Sequence, residues 1–220
     1  MHKFKIAVIR VVTLNDKEKL NQHGRLIESY FPNLQTTSYC IANQYNGVHD
    51  DASHALAELK IEKIVEDIKH KYQGIVVSCA GDPCVNKLKN KIDIPIVGAG
   101  HSSASFCFNY GLKIGIIGIR EDAPCSIKNI LRNNIIKFIK PQGVKNTNDL
   151  YTKEGQLAII IAAKELKHLG AEVILLACTG MSTVGITSIL AKQLKLPIVD
   201  PVFAEAFTIN TLCLQKAYFN

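Results

Sequence analysis

Two of the seven cysteines occur in matching sequence contexts in the two halves of the chain. Cys79 and Cys178 each follow an apolar run, and each is followed by a small residue and a glycine. These neighbours are Ala80, Gly81, Thr179 and Gly180. A thiolate is a base and a thiol is an acid, so a pair of cysteines can remove and return a proton. The pattern therefore indicates Cys79 and Cys178 as candidate catalytic residues.

Inversion of a stereocentre needs two acid–base groups, one on each face of the reacting carbon. If each sulfur lies about 3–3.5 Å from that carbon, the two sulfurs lie about 7 Å apart, which is too far for a disulfide. We therefore expect a racemase or epimerase, with Cys79 and Cys178 as its two bases.

The small residues beside each cysteine suit the binding of an anion. They leave the backbone open, so N–H groups next to Cys79 and Cys178 can hold a carboxylate or the oxygen of a developing enolate. If each cysteine also lies at the N-terminus of a helix, the helix dipole lowers the pKa of its thiol. The sequence thus predicts a thiolate near neutral pH and substrate contacts at the four neighbouring residues.

The other five cysteines are interpreted as packing residues, because free cysteine behaves as a small hydrophobic side chain. They are Cys40, Cys84, Cys107, Cys125 and Cys213. An odd number of cysteines without a Cys-x-x-Cys pair argues against a disulfide framework and against a zinc ribbon.

The two cysteines belong to a longer internal repeat. The run at residues 5–10 resembles the run at residues 113–120, and each ends in an arginine. The segment Ile94-Pro-Ile-Val97 likewise resembles Leu196-Pro-Ile-Val199. A duplicated half predicts two similar α/β domains related by a pseudo-two-fold axis, with both cysteines in the cleft between them.

Short apolar runs alternate with segments of helical periodicity, which predicts parallel sheets covered by helices, as in Rossmann-like domains. The candidate strands are residues 5–9, 35–39, 74–78, 95–97, 113–117, 173–177 and 197–199. Helices are predicted over 53–70, with Leu56, Leu59, Ile64 and Ile68 as its apolar stripe, and over 152–169, ending at Gly170. We expect residues 1–99 plus 201–220 to form the first domain and residues 100–200 to form the second.

The formal net charge of +7 raises the question of a nucleic-acid partner. The lysines are scattered and form no cluster interleaved with aromatic residues, so no nucleic-acid partner is predicted. No apolar run reaches the length of a membrane span, and the start of the chain does not read as an export signal. The sequence therefore predicts a soluble, cytoplasmic protein without a membrane partner.

At the cysteine motifs the sequence resembles the Asp/Glu/hydantoin racemase family, and the resemblance covers nearly the whole chain. The segments Ser78-Cys-Ala-Gly-Asp-Pro83 and Ala177-Cys-Thr-Gly-Met181 are similar to the hydantoin branch; the glutamate racemases carry Cys-Asn-Thr and Cys-Thr-His. The resemblance implies a cofactor-independent enzyme with a thiolate/thiol pair at Cys79 and Cys178. It also implies an amino acid or a cyclic derivative such as a hydantoin as substrate, and assembly into a homo-oligomer.

Two segments depart from that family pattern. Ile9-Arg-Val-Val-Thr13 stands where hydantoin racemases usually have Asn-Pro-Asn, and Gly98-Ala-Gly-His101 stands in place of Gly-x-Gly-Glu. The pocket walls are therefore expected to differ from those of typical members. Arg10, Arg120 and His101 are candidates to lie over the site, where they would favour an anionic substrate.

Other interpretations remain open. The segment Gly98-Ala-Gly-His-Ser-Ser103 resembles a degenerate dinucleotide fingerprint without its third glycine. A two-domain protein could instead clamp a small molecule without reacting with it. A Ser-His-Asp hydrolase is disfavoured because no Gly-x-Ser-x-Gly occurs. Decarboxylation or cis–trans isomerisation within the resembled family is harder to separate from racemisation.

Overall fold

The structure is a computed structural model that describes residues 3–219. It contains two parallel sheets of four strands each. The first sheet, in the order β2-β1-β3-β4, comprises β1 (Phe4–Arg10), β2 (Leu34–Cys40), β3 (Gly74–Ser78) and β4 (Ile96–Gly98). The second, in the order β6-β5-β7-β8, comprises β5 (Ile114–Ile117), β6 (Ile135–Ile139), β7 (Val173–Leu176) and β8 (Ile198–Val199). The equal strand order confirms the predicted pair of similar α/β units.

Helices flank both sheets. The α-helices are α1 (Lys17–Tyr30), α2 (Asp51–Ile68), α3 (Val85–Lys89), α4 (Ala99–Cys107), α5 (Cys125–Leu131), α6 (Lys153–His168), α7 (Thr179–Thr183), α8 (Ile186–Leu194) and α9 (Pro201–Phe219). Short 3-10 helices occupy Lys69–Lys71, Arg132–Asn134 and Thr147–Tyr151. None of the helices described within residues 3–219 is both long and apolar enough to cross a lipid bilayer.

The inner strands β3 and β7 are buried along their whole length. Continuous apolar runs of this kind are typical of strands covered on both faces. Edge strand β6 was missed from the sequence because Lys137 interrupts its apolar pattern and its other residues are only half-buried. The sequence prediction therefore identified the four inner strands and three of the four edge strands, and it missed β6.

Helix α2 begins at a capping box formed by Asp50 and Ser53, in which each side chain accepts the backbone N–H of the other residue. Its buried face consists of Ala57, Ile61, Val65 and Ile68. The predicted apolar stripe is wrong at Leu56 and Leu59, which are 55% and 67% exposed. The buried face instead includes Ala57, whose small side chain contributes little to the apolar periodicity of the sequence.

Helix α9 returns the chain to the first sheet. Val202, Ala206 and Ile209 pack with Ile6 and Val76 in one buried cluster beneath that sheet. Helix α4 packs against both α9 and α5, so it lies where the two halves meet. The division into residues 1–99 plus 201–220 and residues 100–200 stays a prediction.

Candidate active site

One cavity of about 80 Å³ lies at the carboxyl ends of strands from both sheets. It is lined by residues that follow strands β1, β3, β5 and β7, as expected for ligand sites in parallel sheets. Of the site residues predicted from the sequence, the structure places Cys79, Ala80, Gly81, Cys178, Thr179, Gly180, Arg10 and Arg120 in its wall. Both cysteines therefore face one space, although they come from different halves.

The backbone immediately after each sulfur is similar, although Cys178 caps α7 directly and Cys79 is followed by a turn before α3. A Cβ atom on Gly81 would lie 3.7 Å from Cys79 Sγ, and a Cβ atom on Gly180 would lie 3.6 Å from Cys178 Sγ. Each glycine also donates its backbone N–H to the neighbouring sulfur. The repeat detected in the sequence thus extends to the immediate surroundings of each thiol.

Burial controls the protonation of both cysteines. It raises the pKa of Cys79 to about 12, and the nearby charges of Asp82 and Cys178 add to the rise. Burial also raises the pKa of Cys178 to about 11, against hydrogen bonds from the N–H groups of Gly180 and Met181. Burial therefore opposes the predicted thiolate near neutral pH, because desolvation outweighs the backbone donors.

Each half supplies an arginine to the cysteine of the other half. Arg10, the last residue of β1, lowers the pKa of Cys178, and Arg120, which follows β5, lowers the pKa of Cys79. These effects are smaller than that of burial. The crossed arrangement places positive charge beside both thiols, where a thiolate or a bound anion would be stabilised.

The two arginines differ in their partners. Arg10 is only 6% exposed, and its Nη1 donates to the carbonyl oxygens of Lys19 at 2.8 Å and Leu20 at 3.2 Å. Burial lowers the pKa of Arg10 to about 10, which still leaves it charged at neutral pH. Arg120 instead forms an ion pair with Asp51 at the start of α2, so it joins the two halves at the mouth of the cavity.

The structure corrects the prediction that His101 lies over the site. His101 is exposed and does not line this cavity. The reason is Asp82, whose carboxylate accepts the backbone N–H groups of Gly100 at 2.7 Å and His101 at 2.6 Å. This contact fixes the start of α4 against the Cys79 turn and leaves the imidazole on the outside.

The same contact removes the dinucleotide interpretation. A phosphate would need the free N–H groups at the start of α4, and the Asp82 carboxylate already occupies them. The glycines have another purpose: a Cβ on Gly98 would lie 2.2 Å from Asp82 Oδ1, and a Cβ on Gly100 would lie 2.1 Å from the carbonyl oxygen of Ala80. They allow close approach of the Cys79 turn.

Sequence reasoning missed one wall of the cavity. Thr147, Asn148 and Tyr151 come from the 3-10 helix before α6, and Gly47 comes from the loop before α2. The Thr147 hydroxyl donates to the carbonyl oxygen of Asn46 at 3.2 Å and so joins these loops. One loop lies between β2 and α2 and the other between β6 and α6, which are equivalent positions in the two halves. Aligning the two halves of the sequence beyond the inner strands would therefore have indicated both loops.

The chemistry available in the cavity is acid–base chemistry next to an anion site. It contains two thiols, backbone N–H groups at each of them and two guanidinium groups. Within residues 3–219, no three His, Cys, Asp or Glu side chains are grouped so as to hold a metal ion. Such a set of groups can bind an anion and move protons at a neighbouring atom.

Comparison with known proteins agrees with this geometry. The chain is 31% identical over 142 residues to Protein DCG1 of Saccharomyces cerevisiae, covering 57% of each chain. It is 29% identical over 146 residues to a hydantoin racemase of Paenarthrobacter aurescens, covering 62% of this chain and 60% of that protein. The matched region thus spans less than two thirds of either relative.

Solved structures share the fold. The allantoin racemase from Klebsiella pneumoniae superposes with a TM-score of 0.78 at 18% identity, over 96% of this chain and 88% of that one. The model of the family described as Asp/Glu/Hydantoin racemase matches residues 24–206, which include both cysteines and most of the cavity wall. The chain belongs to the Asp/Glu/hydantoin racemase family.

Proposed function

We propose that the chain is a cofactor-independent racemase or epimerase that inverts the α-carbon of an amino acid or of a cyclic amino-acid derivative such as a hydantoin. Cys79 and Cys178 are its two bases. The observation that carries the proposal is that these thiols line one cavity from equivalent turns of two like sheets. The predicted sulfur–sulfur distance of about 7 Å stays a prediction.

The proton transfer runs from one sulfur to the other through the reacting carbon. One cysteine, as thiolate, takes the α-proton from one face, and the other, as thiol, gives its proton to the opposite face. The thiol and the thiolate then exchange places, and charge is conserved. Forming the thiolate of Cys178 at pH 7 from a pKa of about 11 costs about 5 kcal/mol. The resulting sulfur is a strong base, which suits removal of a proton from carbon.

The substrate is held by backbone and charge. The residues Ala80, Gly81, Thr179 and Gly180 are the candidates to contact the substrate. The N–H groups of Gly81 and Gly180 donate to the sulfurs, so those of Ala80 and Thr179 are the candidates to hold the carboxylate or the enolate oxygen that forms as the proton leaves. Arg10 has no carboxylate within salt-bridge distance among residues 3–219, so its buried charge favours an anionic substrate or the anion of a cyclic imide. Homo-oligomeric assembly and a cytoplasmic location stay predictions from the sequence.

The test is a panel of enantiopure hydantoins and acidic amino acids, followed by polarimetry and by uptake of solvent deuterium at the α-carbon. We expect Cys79→Ser and Cys178→Ser each to abolish inversion, while a single variant can still exchange the proton of one enantiomer. Cys125→Ser, at an exposed free cysteine outside the cavity, is the matched control. Full racemisation by either active-site variant would contradict the two-base scheme.

A further inference from the structure

A chain of buried polar side chains runs behind the two cysteines. The Ser78 hydroxyl donates to Glu205 Oε1 at 2.6 Å. His23 Nδ1 lies 2.7 Å from Ser78 Oγ, and His23 Nε2 lies 2.7 Å from Thr183 Oγ1. His23 is 1% exposed and Glu205 is fully buried. The chain crosses from the first half of the molecule to helix α7 of the second half.

Each end of this chain adjoins one of the sulfur-bearing turns. Ser78 is the last residue of β3 and directly precedes Cys79. Thr183 is the last residue of α7, the helix that begins immediately after Cys178. Beside it, Gln22 Nε2 donates to the Thr183 carbonyl oxygen at 3.1 Å. His23 therefore bridges the side chain of Ser78, the residue before Cys79, to the side chain of Thr183 in the helix that follows Cys178.

The protonation states fit one continuous arrangement. Burial lowers the pKa of His23 well below its usual value and raises the pKa of Glu205 well above its usual value, which favours the neutral form of each group. A neutral imidazole donates from one ring nitrogen and accepts at the other, so His23 can hold the Ser78 and Thr183 hydroxyls at the same time. Glu205 Oε2 has no hydrogen-bond partner among the described residues.

We propose that His23 is a positioning residue that fixes the separation of the Cys79 and Cys178 sulfurs through its bonds to Ser78 and Thr183. The proposal rests on the two-base function above and adds a residue to it. Inversion requires both sulfurs to reach one carbon together, whereas exchange of the α-proton with solvent needs only one. A looser bridge therefore lowers inversion more than exchange.

The experiment compares the rate of inversion with the rate of α-proton exchange in deuterated buffer. For His23→Leu, which removes both bonds, we expect the ratio of inversion to exchange to fall about tenfold or more. His23→Gln reaches only the Thr183 side and His23→Asn reaches only the Ser78 side, so each keeps one of the two bonds, and we expect each to lower the ratio less than His23→Leu does.

Two further variants separate positioning from simple loss of stability. Tyr72→Phe removes the 2.7 Å hydroxyl contact between Tyr39 and Tyr72, which lies within the first half, and is expected to leave the ratio unchanged. If His23→Leu does not fold, Thr183→Val removes the same bridge from a partly exposed position and is expected to lower the ratio. Equal losses of inversion and exchange in these bridge variants would overturn the proposal.

A second readout does not depend on catalysis. A short reagent that alkylates two thiols, such as dibromobimane, joins Cys79 to Cys178 only while the sulfurs keep their separation, and peptide mapping measures the yield. We expect a lower yield in His23→Leu than in the parent and an intermediate yield in His23→Gln, which keeps one of the two bonds. A parent protein that racemises nothing but gives this pattern would remove the proposed function and keep the positioning role. Equal yields in all three proteins would overturn that role.

Discussion

The hydroxyl of Thr179 donates a hydrogen bond to the backbone carbonyl oxygen of Ser78 across 3.2 Å. The two residues belong to different halves of the molecule, and they adjoin Cys178 and Cys79 respectively. Because the bond is buried, it joins the two sulfur-bearing turns where water does not compete. The cavity is thus closed at its base by a direct contact between the turns that carry its chemistry.

Thr179→Val tests that contact. The change keeps the shape of the side chain and removes the donor, so we expect the free energy of unfolding to fall by about 1–2 kcal/mol. We expect the proposed racemisation to slow as well, because this bond no longer joins the residues that adjoin the two cysteines. Urea titration and polarimetry measure the two effects. Thr179→Ser keeps the hydroxyl and is the matched control; a valine variant as active and as stable as the serine variant would contradict the prediction.

Asp82 gives the molecule a characteristic dependence of stability on pH. Burial raises the pKa of Asp82 from 3.8 to about 7, so between these values the folded state binds more protons than the unfolded state. The contribution of Asp82 therefore weakens as pH rises through this window, with a slope of up to about 1.4 kcal/mol per pH unit. Asp82→Asn removes this contribution.

The measurement is urea unfolding of the parent and of Asp82→Asn across the same pH window. The difference between the two proteins isolates the aspartate, since His23, with its lowered pKa, acts in the opposite direction in both. We expect the variant to lose less stability than the parent as pH rises. Asp93→Asn, at an exposed site, is the control; parallel curves for the parent and Asp82→Asn would show that Asp82 does not titrate in this range.

Gly100 and Gly180 differ in which atoms an added Cβ would contact, and so in the expected effect of an alanine substitution. A Cβ on Gly100 would lie 2.1 Å from the carbonyl oxygen of Ala80, which is backbone and cannot move without the Cys79 turn. A Cβ on Gly180 would lie 2.8 Å from Leu150 Cδ1, the end of a flexible side chain. We expect Gly100→Ala to cost about 3 kcal/mol or more and to abolish activity.

Gly180→Ala is the comparison for that variant. Leu150 can turn aside, so the expected loss of stability is smaller, about 1 kcal/mol. The new methyl group lies 3.6 Å from Cys178 Sγ and narrows the cavity, so we expect KM to rise for the cyclic substrates proposed above. Thermal unfolding and steady-state kinetics measure both effects. Equal stability losses in the two alanine variants would show that the Gly100 contact relaxes.

The elements that position the cysteines could be predicted because the signal is local. An apolar strand followed by a cysteine, a small residue and a glycine specifies a strand, a tight turn and an open backbone, and both turns have this form. Edge strand β6 lacks such a signal because half-buried residues alternate around Lys137. The other three edge strands, β2, β4 and β8, were predicted, so only β6 lacked a readable signal.

The unpredicted parts of the site depend on contacts between distant segments. Asp82 has a left-handed backbone with φ of 50°, and its carboxylate accepts the N–H groups at the start of α4. The sequence does not show this contact, so the prediction that His101 is a candidate to lie over the site could not take it into account. The raised pKa of each thiol likewise depends on tertiary burial. Glu205 carried one visible sign, since it is an acidic residue within the apolar run Pro201–Phe207, whereas nothing local distinguishes His23.

The crossed arginines predict reciprocal effects on thiol reactivity. Arg10 lowers the pKa of Cys178 and Arg120 lowers that of Cys79, so removing either charge raises the pKa of one thiol and leaves the other unaffected. Since only the thiolate is alkylated, the rate at a fixed pH below about 11 falls in proportion to the thiolate fraction. Arg10→Met should therefore slow alkylation at Cys178 alone, and Arg120→Met should slow it at Cys79 alone.

Iodoacetamide labelling at pH 8 to 9, where Arg10 keeps its charge, with rates read for each peptide by mass spectrometry, measures this directly. Cys125 is exposed and provides an internal reference for reagent concentration in every sample. Arg10→Lys keeps the charge without the guanidinium fork, so it should preserve most of the Cys178 rate while weakening the hold on an anionic substrate. If both arginine variants slowed both cysteines equally, the charges would act on the cavity as a whole and the crossed pairing would be wrong.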